Sequence, residues 1–114
     1  MHEYSIVQSL LESCEEIAKE NNAIKVTKVI VKIGIMSGVE PILLQTAFDT
    51  FKEDSICKDC QYIQNIQPIV IKCLKCTKRS TLSKNEYLCP ACLSTELEII
   101  DGEDMYLMSL ELEY

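Results

Sequence analysis

The sequence predicts an α+β fold in which two helices pack on a three-stranded sheet, with a small cysteine-rich module inserted between two strands. Three observations predict this class: two segments with helical apolar spacing, three extended segments, and a middle segment rich in cysteine and poor in large apolar residues. The 114 residues, 47% of them hydrophobic, are enough for one modest domain with an attached module.

The first helix is predicted over residues 4–21, because apolar residues recur there at spacings of three and four. Asn21-Asn22 is a plausible stop. The second helix begins at Pro41, a residue favoured at the first helical position, and runs to about Lys52. We expect both apolar stripes to be buried. They comprise Ile6, Val7, Leu10, Leu11, Cys14, Ile17 and Ala18 in the first helix, and Leu43, Leu44, Ala47, Phe48 and Phe51 in the second.

Two of the three strands are predicted at residues 25–35 and 62–71. The first is rich in β-branched residues and carries Lys28 and Lys32 on the face opposite Val29 and Val31. In the second, Pro68 suggests an edge position or a bulge, because proline cannot donate a ladder hydrogen bond.

The third strand is predicted at residues 105–114, where apolar and polar residues alternate. We expect Tyr106, Met108, Leu110 and Leu112 to share its buried face. Residues 1–71 with 101–114 should therefore form one α/β domain, and residues 72–100 should form the inserted module.

The strongest chemical signal is the pair of motifs Cys73-Leu-Lys-Cys76 and Cys89-Pro-Ala-Cys92, separated by twelve residues. Each C-x-x-C turn can direct two thiolates at one ion, and two turns complete a tetrahedral site suited to Zn²⁺. Four protein ligands leave no place for water or substrate, so we expect a structural, zinc-ribbon-like site. The module has too little apolar content to fold alone, so zinc should supply its folding energy.

Cys57 and Cys60 form a third C-x-x-C pair, which one four-ligand site cannot also accommodate. The pair follows the second helix instead of opening a helix after a strand, so a thioredoxin-like role is a weak interpretation. The simplest interpretation is two near-surface thiols. A second metal contact and a redox-sensitive pair remain as alternatives.

The one histidine is at position 2, within Met1-His2-Glu3. The terminal amine, the amides of His2 and Glu3, and the imidazole provide four nitrogen donors in one short peptide. Such a set can close chelate rings in a square plane, the geometry of Ni(II) or Cu(II). A large second residue usually prevents removal of the initiator methionine, so we expect the mature protein to begin as written. The alternative is a solvated side chain on a frayed terminus.

Composition argues against several functions. The 11 basic and 18 acidic residues give a net charge of −7, which disfavours nonspecific nucleic-acid binding. A zinc ribbon that binds nucleic acid or protein through basic residues of the module remains an alternative. No apolar stretch approaches the roughly 18 residues needed to span a membrane, and no basic segment of a signal peptide is present, so we expect a cytoplasmic protein. No nucleophile–base set is apparent, so we expect no enzymatic activity.

Taken together, these features resemble the HypA family, the nickel metallochaperones of nickel–iron hydrogenase maturation and, in some bacteria, of urease. The resemblance covers essentially the whole chain. It rests on Met1-His2-Glu3-Tyr4-Ser5, Ser37-Gly38-Val39-Glu40-Pro41, the helix face of Ala47, Phe48 and Phe51, and the four cysteines of the module.

The resemblance implies a nickel-binding α/β domain with an inserted zinc module. Ni(II) would bind as transient cargo at the N-terminus, with His2 as the essential side chain and nitrogens of Met1 and Glu3 in support. Glu40 matches a position from which an acidic residue approaches the nickel in some members. The family's zinc cysteines correspond to Cys73, Cys76, Cys89 and Cys92.

The resemblance also implies partners. These are a nickel-binding GTPase, the hydrogenase large-subunit precursor and, in some bacteria, urease. The chain has no P-loop motif, so GTP hydrolysis would belong to a partner. We expect a monomer or a homodimer.

Overall fold

The computed structural model describes residues 3–82 and 86–114 and contains two helices, a short 3₁₀ turn and two three-stranded sheets. The helical elements are α1 (Glu3–Glu20), α2 (Pro41–Phe51) and the 3₁₀ turn Lys52–Asp54. The strands are β1 (Lys25–Gly34), β2 (Gln61–Gln67), β3 (Val70–Cys73), β4 (Arg79–Thr81), β5 (Leu97–Asp101) and β6 (Met105–Glu113). No helix in these described ranges is long and apolar enough to cross a membrane.

The chain divides into two compact units. The first contains the described residues up to Lys32 together with Val39–Asn65 and Tyr106–Tyr114. The second contains Ile33–Gly38 and Ile66–Met105. The strand orders of the two sheets are β2-β1-β6 and β4-β3-β5.

Helix α1 buries the stripe that its spacing predicts, with Val7, Cys14 and Ala18 fully buried. The predicted stop is also confirmed. Asn22 adopts a left-handed φ of 58°, and the Ala23 N–H donates to the Ala18 carbonyl at 2.8 Å. This pattern closes the helix end, since asparagine tolerates the left-handed conformation better than most residues.

Helix α2 begins at Pro41 as predicted and packs against α1. Leu44, Ala47 and Phe48 are buried, and the Phe48 ring stacks on Tyr62 of β2 with centroids 4.1 Å apart. The expectation that the whole α2 stripe is buried is wrong at its edge, because Leu43 is 50% exposed. An eleven-residue helix presents only part of its circumference to one neighbour and one sheet.

The predicted single strand over residues 62–71 is wrong, because Pro68 divides it into β2 and β3. Proline has no N–H to donate, so the ladder is interrupted there. Strand β3 belongs to the second sheet, where Ile71 pairs with Ser80 of β4 and with Ile99 of β5 in antiparallel register. This second sheet, which carries the cysteine motifs, was not predicted.

The predicted buried face of the last strand is also partly wrong. Tyr106 and Met108 of β6 are 48% and 55% exposed, whereas the intervening Leu107 is less exposed. The alternation changes phase before Leu110, so the four predicted residues do not share one face. Strand β6 lies at the edge of its sheet, where burial constrains side chains less, and the Lys32 ammonium covers the Tyr106 ring at 5.4 Å.

Candidate metal centres

The four cysteines of the two C-x-x-C motifs converge on one point. Their Sγ atoms all lie within 4.8 Å of one another, with 3.5 Å between Cys73 and Cys92 and 3.6 Å between Cys76 and Cys89. A Zn–S bond of about 2.3 Å in a tetrahedron places sulfurs about 3.8 Å apart. The cluster therefore matches the donor set and the size that Zn²⁺ requires. Among residues 3–82 and 86–114, no other group of three or more His, Cys, Asp or Glu side chains could hold a metal.

Each C-x-x-C motif forms the same turn, which we call a zinc knuckle. The residue after the second cysteine donates its N–H to the carbonyl of the first: Thr77 to Cys73 at 2.9 Å, and Leu93 to Cys89 at 2.8 Å. Thr77 and Leu93 both have a φ of 64°. The Cys76 N–H lies 3.4 Å from the Cys73 sulfur. The turn thus directs backbone dipoles at the first sulfur of the motif.

Those dipoles prepare the thiols for ligation. The hydrogen bond from the Cys76 backbone N–H lowers the pKa of Cys73 to about 6, and the Cys92 N–H likewise lowers the pKa of Cys89. At Cys92 the Ser94 backbone lowers the pKa, but hydrogen bonding with Cys73 and desolvation outweigh it and raise the pKa to about 11. The lowered pKa values of Cys73 and Cys89 favour the thiolate, the form that binds metal, at the first sulfur of each knuckle.

Met1 and His2 of the predicted nickel site lie outside the described residues. Glu3 is the first described residue and begins α1. Its side chain is 5% exposed, and one carboxylate oxygen accepts a hydrogen bond from the Glu40 N–H at 3.2 Å. This hydrogen bond is the main reason that the pKa of Glu3 lies below its usual value.

The structure therefore brings together two residues singled out in the sequence, Glu3 and Glu40. Glu40 is the N-cap of α2, and its own side chain makes no capping hydrogen bond and is exposed. The Glu3 carboxylate supplies the negative charge that this helix end favours. Sequence reasoning assigned no role to that carboxylate. The available signal was that Glu40-Pro41 opens a helix without a Ser, Thr, Asp or Asn cap.

Cys57 and Cys60 do not join the zinc knuckles, and their interpretation as near-surface thiols is wrong. Cys57 is fully buried and Cys60 is 6% exposed. Interaction with the buried Cys14 thiol and desolvation raise the pKa of Cys57, and desolvation raises that of Cys60 to about 11. Protonated, buried thiols are poor nucleophiles, so the geometry argues against the thiol-oxidoreductase alternative and favours a packing role.

Known proteins resemble the chain over its full length. The family model "Hydrogenase/urease nickel incorporation, metallochaperone, hypA" matches residues 1–112. The hydrogenase maturation factor HypA of Shewanella oneidensis is 55% identical over 113 residues, covering 99% of this chain and 96% of the relative. The factor of the same name from Aquifex aeolicus is 53% identical, with 99% and 98% covered.

A solved structure agrees in fold. The solution structure of the Ni metallochaperone HypA from Helicobacter pylori superposes with a TM-score of 0.72 at 37% identity, covering 99% of this chain and 98% of that one. The chain therefore belongs to the HypA family of nickel-incorporation metallochaperones of hydrogenase maturation.

Proposed function

We propose that this chain binds Ni(II) through its first three residues and transfers it to the hydrogenase large-subunit precursor. The imidazole of His2 is the essential side-chain ligand, and nitrogens of Met1 and Glu3 complete the chelate. The observation that carries the proposal is the hydrogen bond from the Glu40 N–H to the Glu3 carboxylate. It fixes the residue next to His2 against the start of α2.

The anchor also holds the backbone around the Glu3 nitrogen. Helix α1 begins at Glu3, and the first N–H groups of a helix have no acceptor within it. Ligation of the metal by the Glu3 nitrogen therefore breaks no hydrogen bond of the helix ladder. The anchored carboxylate also removes one degree of freedom from the peptide that must wrap the ion, which lowers the entropy cost of binding.

Glu40 is a second, oxygen-donating ligand in this proposal. Its side chain is exposed, while its N–H contacts Glu3. Its backbone is thereby joined to Glu3, the third residue of the proposed nickel-binding peptide. Because oxygen donors bind Ni(II) less strongly than imidazole nitrogen does, Glu40 assists capture and release, and His2 determines affinity.

Transfer requires moderate affinity. An exposed site with one or two side-chain ligands corresponds to binding in the micromolar range, about −8 kcal/mol, so the ion can leave by ligand exchange. Delivery involves the nickel-binding GTPase and the precursor, and urease is a further client to be tested. The protein acts as a monomer or homodimer in the cytoplasm. Reducing conditions there keep the four cysteines from forming disulfides.

The zinc site has a structural role in this proposal. Residues Cys73, Cys76, Cys89 and Cys92 hold Zn²⁺ in a closed tetrahedron, which supplies folding energy to residues 72–100 and offers no position for a substrate. The domain formed by residues 1–71 and 101–114 carries the nickel. Neither site needs catalytic chemistry.

The experiment is hydrogenase maturation at limiting nickel, in cells that lack their own chaperone of this type. Wild type should restore hydrogenase activity, and His2→Ala should not. Gln8→Ala, an exposed change on α1, is the matched control and should behave as wild type. Full activity with His2→Ala at equal protein level would refute the N-terminal route.

A further inference from the structure

The first turn of helix α1 directly follows the first two residues of the proposed nickel peptide, yet the sequence gives it no preferred cap. Glu3 is the first residue of α1, and the residue before it is histidine, not the Ser, Thr, Asp or Asn that commonly caps a helix. The first N–H groups of a helix have no acceptor within it, so a first turn near a chain terminus frays easily. Contacts that hold this turn therefore bear on how well ordered the nickel ligands are.

Two adjacent residues of the first turn contact helix α2 at its opposite ends. The Glu3 carboxylate accepts a hydrogen bond at 3.2 Å from the N–H of Glu40, the N-cap residue of α2. The Tyr4 ring meets Phe51, the last residue of α2, edge to face, with centroids 5.4 Å apart and an interplanar angle of 89°. An eleven-residue helix is about 16 Å long, so the two contacts are well separated. Together they restrain both the position and the rotation of the turn.

The contact between Tyr4 and Phe51 adds little to the apolar core. Tyr4 is 61% exposed and Phe51 is 37% exposed, whereas Phe48, in the other ring pair of this unit, is fully buried. An edge-to-face pair nevertheless favours one relative orientation, because the positive edge of one ring faces the negative face of the other. The contact is therefore better suited to orienting the first turn of α1 than to stabilising the whole fold.

We propose that Tyr4 is a positioning residue for nickel, whose ring is held by Phe51 so that the first turn of α1 is ordered before the ion arrives. This inference rests on the proposed function, because it concerns the same N-terminal peptide. Tyr4 acts through its ring and is not itself a ligand. A peptide that is ordered in advance loses less conformational entropy when it wraps the ion, so its affinity is higher.

The test is calorimetric nickel titration of the zinc-loaded full chain, untagged and starting at Met1. Tyr4→Ala and Phe51→Ala should each weaken nickel binding about three- to tenfold, the range that such a ring pair contributes. The double variant should lose no more than the weaker of the two single variants, because both remove one contact. Tyr4→Phe should bind as wild type, since it keeps the ring.

The matched control is Tyr114→Ala, which should leave nickel affinity unchanged. Tyr114 is 70% exposed, and the carbonyl of its neighbour Glu113 accepts the N–H of Ile24, which lies beyond the far end of α1. This control removes an exposed tyrosine ring far from the first turn.

A second readout reports the ordering itself. The NMR order parameter of the Ser5 amide should be about 0.85 in wild type and below about 0.6 in Tyr4→Ala and Phe51→Ala, and Tyr4→Phe should restore it. Zinc content and far-ultraviolet circular dichroism should be unchanged in these variants, because the loss of order is confined to the first turn.

Nickel affinities of Tyr4→Ala and Phe51→Ala within twofold of wild type, with His2→Ala still impaired, would overturn this inference and leave the nickel site intact. A loss of affinity in Tyr4→Phe, or in Tyr4→Ala without one in Phe51→Ala, would also overturn it, because Tyr4 would then act through its hydroxyl or another contact. If wild type does not bind nickel, the proposed function fails, and this inference with it.

Discussion

Removal of zinc should unfold the second unit and spare helix α1. The large aliphatic side chains buried in that unit are Ile33, Ile71 and Leu82, each at most 8% exposed. At about 1.5–3 kcal/mol for each, their burial contributes about 5–9 kcal/mol. Structural zinc sites contribute about 10–16 kcal/mol of binding free energy, which becomes folding free energy when no preformed site exists. The metal therefore outweighs the apolar core of this unit.

The assay is amide hydrogen exchange followed by NMR, with and without a strong zinc chelator. Amides of β3 and β5, which pair at Ile71 and Ile99, should lose their protection when zinc is removed. Amides in the middle of α1, near the buried Leu10, should keep theirs, because that helix belongs to the first unit. Cys76→Ser should reproduce the effect of the chelator.

Cys57→Ala is the matched control, since this cysteine lies in the first unit and outside the cluster. It should retain full zinc content and normal protection in β3 and β5. Persistent protection of these strands in metal-free protein would refute the reasoning. It would mean that apolar burial and hydrogen bonding hold the second sheet without the metal.

Three further results are expected. Phe48→Ala should destabilise the protein by about 3–5 kcal/mol in denaturant unfolding, because Phe48 is fully buried and stacked on Tyr62. The control Ile42→Ala, at a position 78% exposed, should change stability by no more than about 0.5 kcal/mol. Equal losses of stability in the two variants would contradict the burial of Phe48. The pKa of Glu3 is lowered from 4.5, so its contribution to stability is complete above pH 4.5 and disappears as pH falls through the lowered pKa. Glu3→Gln should therefore lose less stability than wild type as the solution is acidified. An unchanged dependence of the unfolding free energy on pH would count against the contact with Glu40. Nickel affinity should fall below about pH 6.5, where protons compete for the imidazole, and a flat profile from pH 7.5 to 5.5 would exclude His2 as a ligand.

The helices were predictable because their periodicity reports burial directly. The stripe of α1 from Val7 to Ala18 is buried, and the stop at Asn22 follows from a backbone conformation that asparagine tolerates. Pro41 marked the start of α2 for the same kind of local reason. Such steric preferences depend only on a few neighbouring residues, so they can be predicted from the sequence.

The second sheet was not predictable in the same way. Strands β4 and β5 contain three and five residues, too few for a clear alternation, and their partner β3 is distant in the sequence from β5. Pro68 marked an interruption, but its effect depended on tertiary pairing. Cys73 is the last residue of β3, so the four-cysteine cluster adjoins this sheet, and cysteine spacing leaves little trace in hydrophobic patterns.

The cysteines and the contacts of the candidate sites differ in the same way in how far they could be predicted. Spacing alone singled out the four cysteines whose sulfurs the structure brings together, because a C-x-x-C turn is a local geometry. The burial of Cys57 and Cys60 was not predicted, because a C-x-x-C spacing is the same whether the turn is buried or exposed. The contact between Glu3 and Glu40 joins residues 37 positions apart and could be found only in the structure.

The central claim is that the N-terminal peptide is the nickel site and that His2 is the side chain it cannot lose. The most direct measurement is calorimetric nickel titration of untagged protein that starts at Met1, alongside His2→Ala and a variant with one glycine added before Met1. The account predicts micromolar binding by wild type and at least a tenfold loss, or about 1.4 kcal/mol, in both variants. Equal nickel affinity in all three proteins would contradict it.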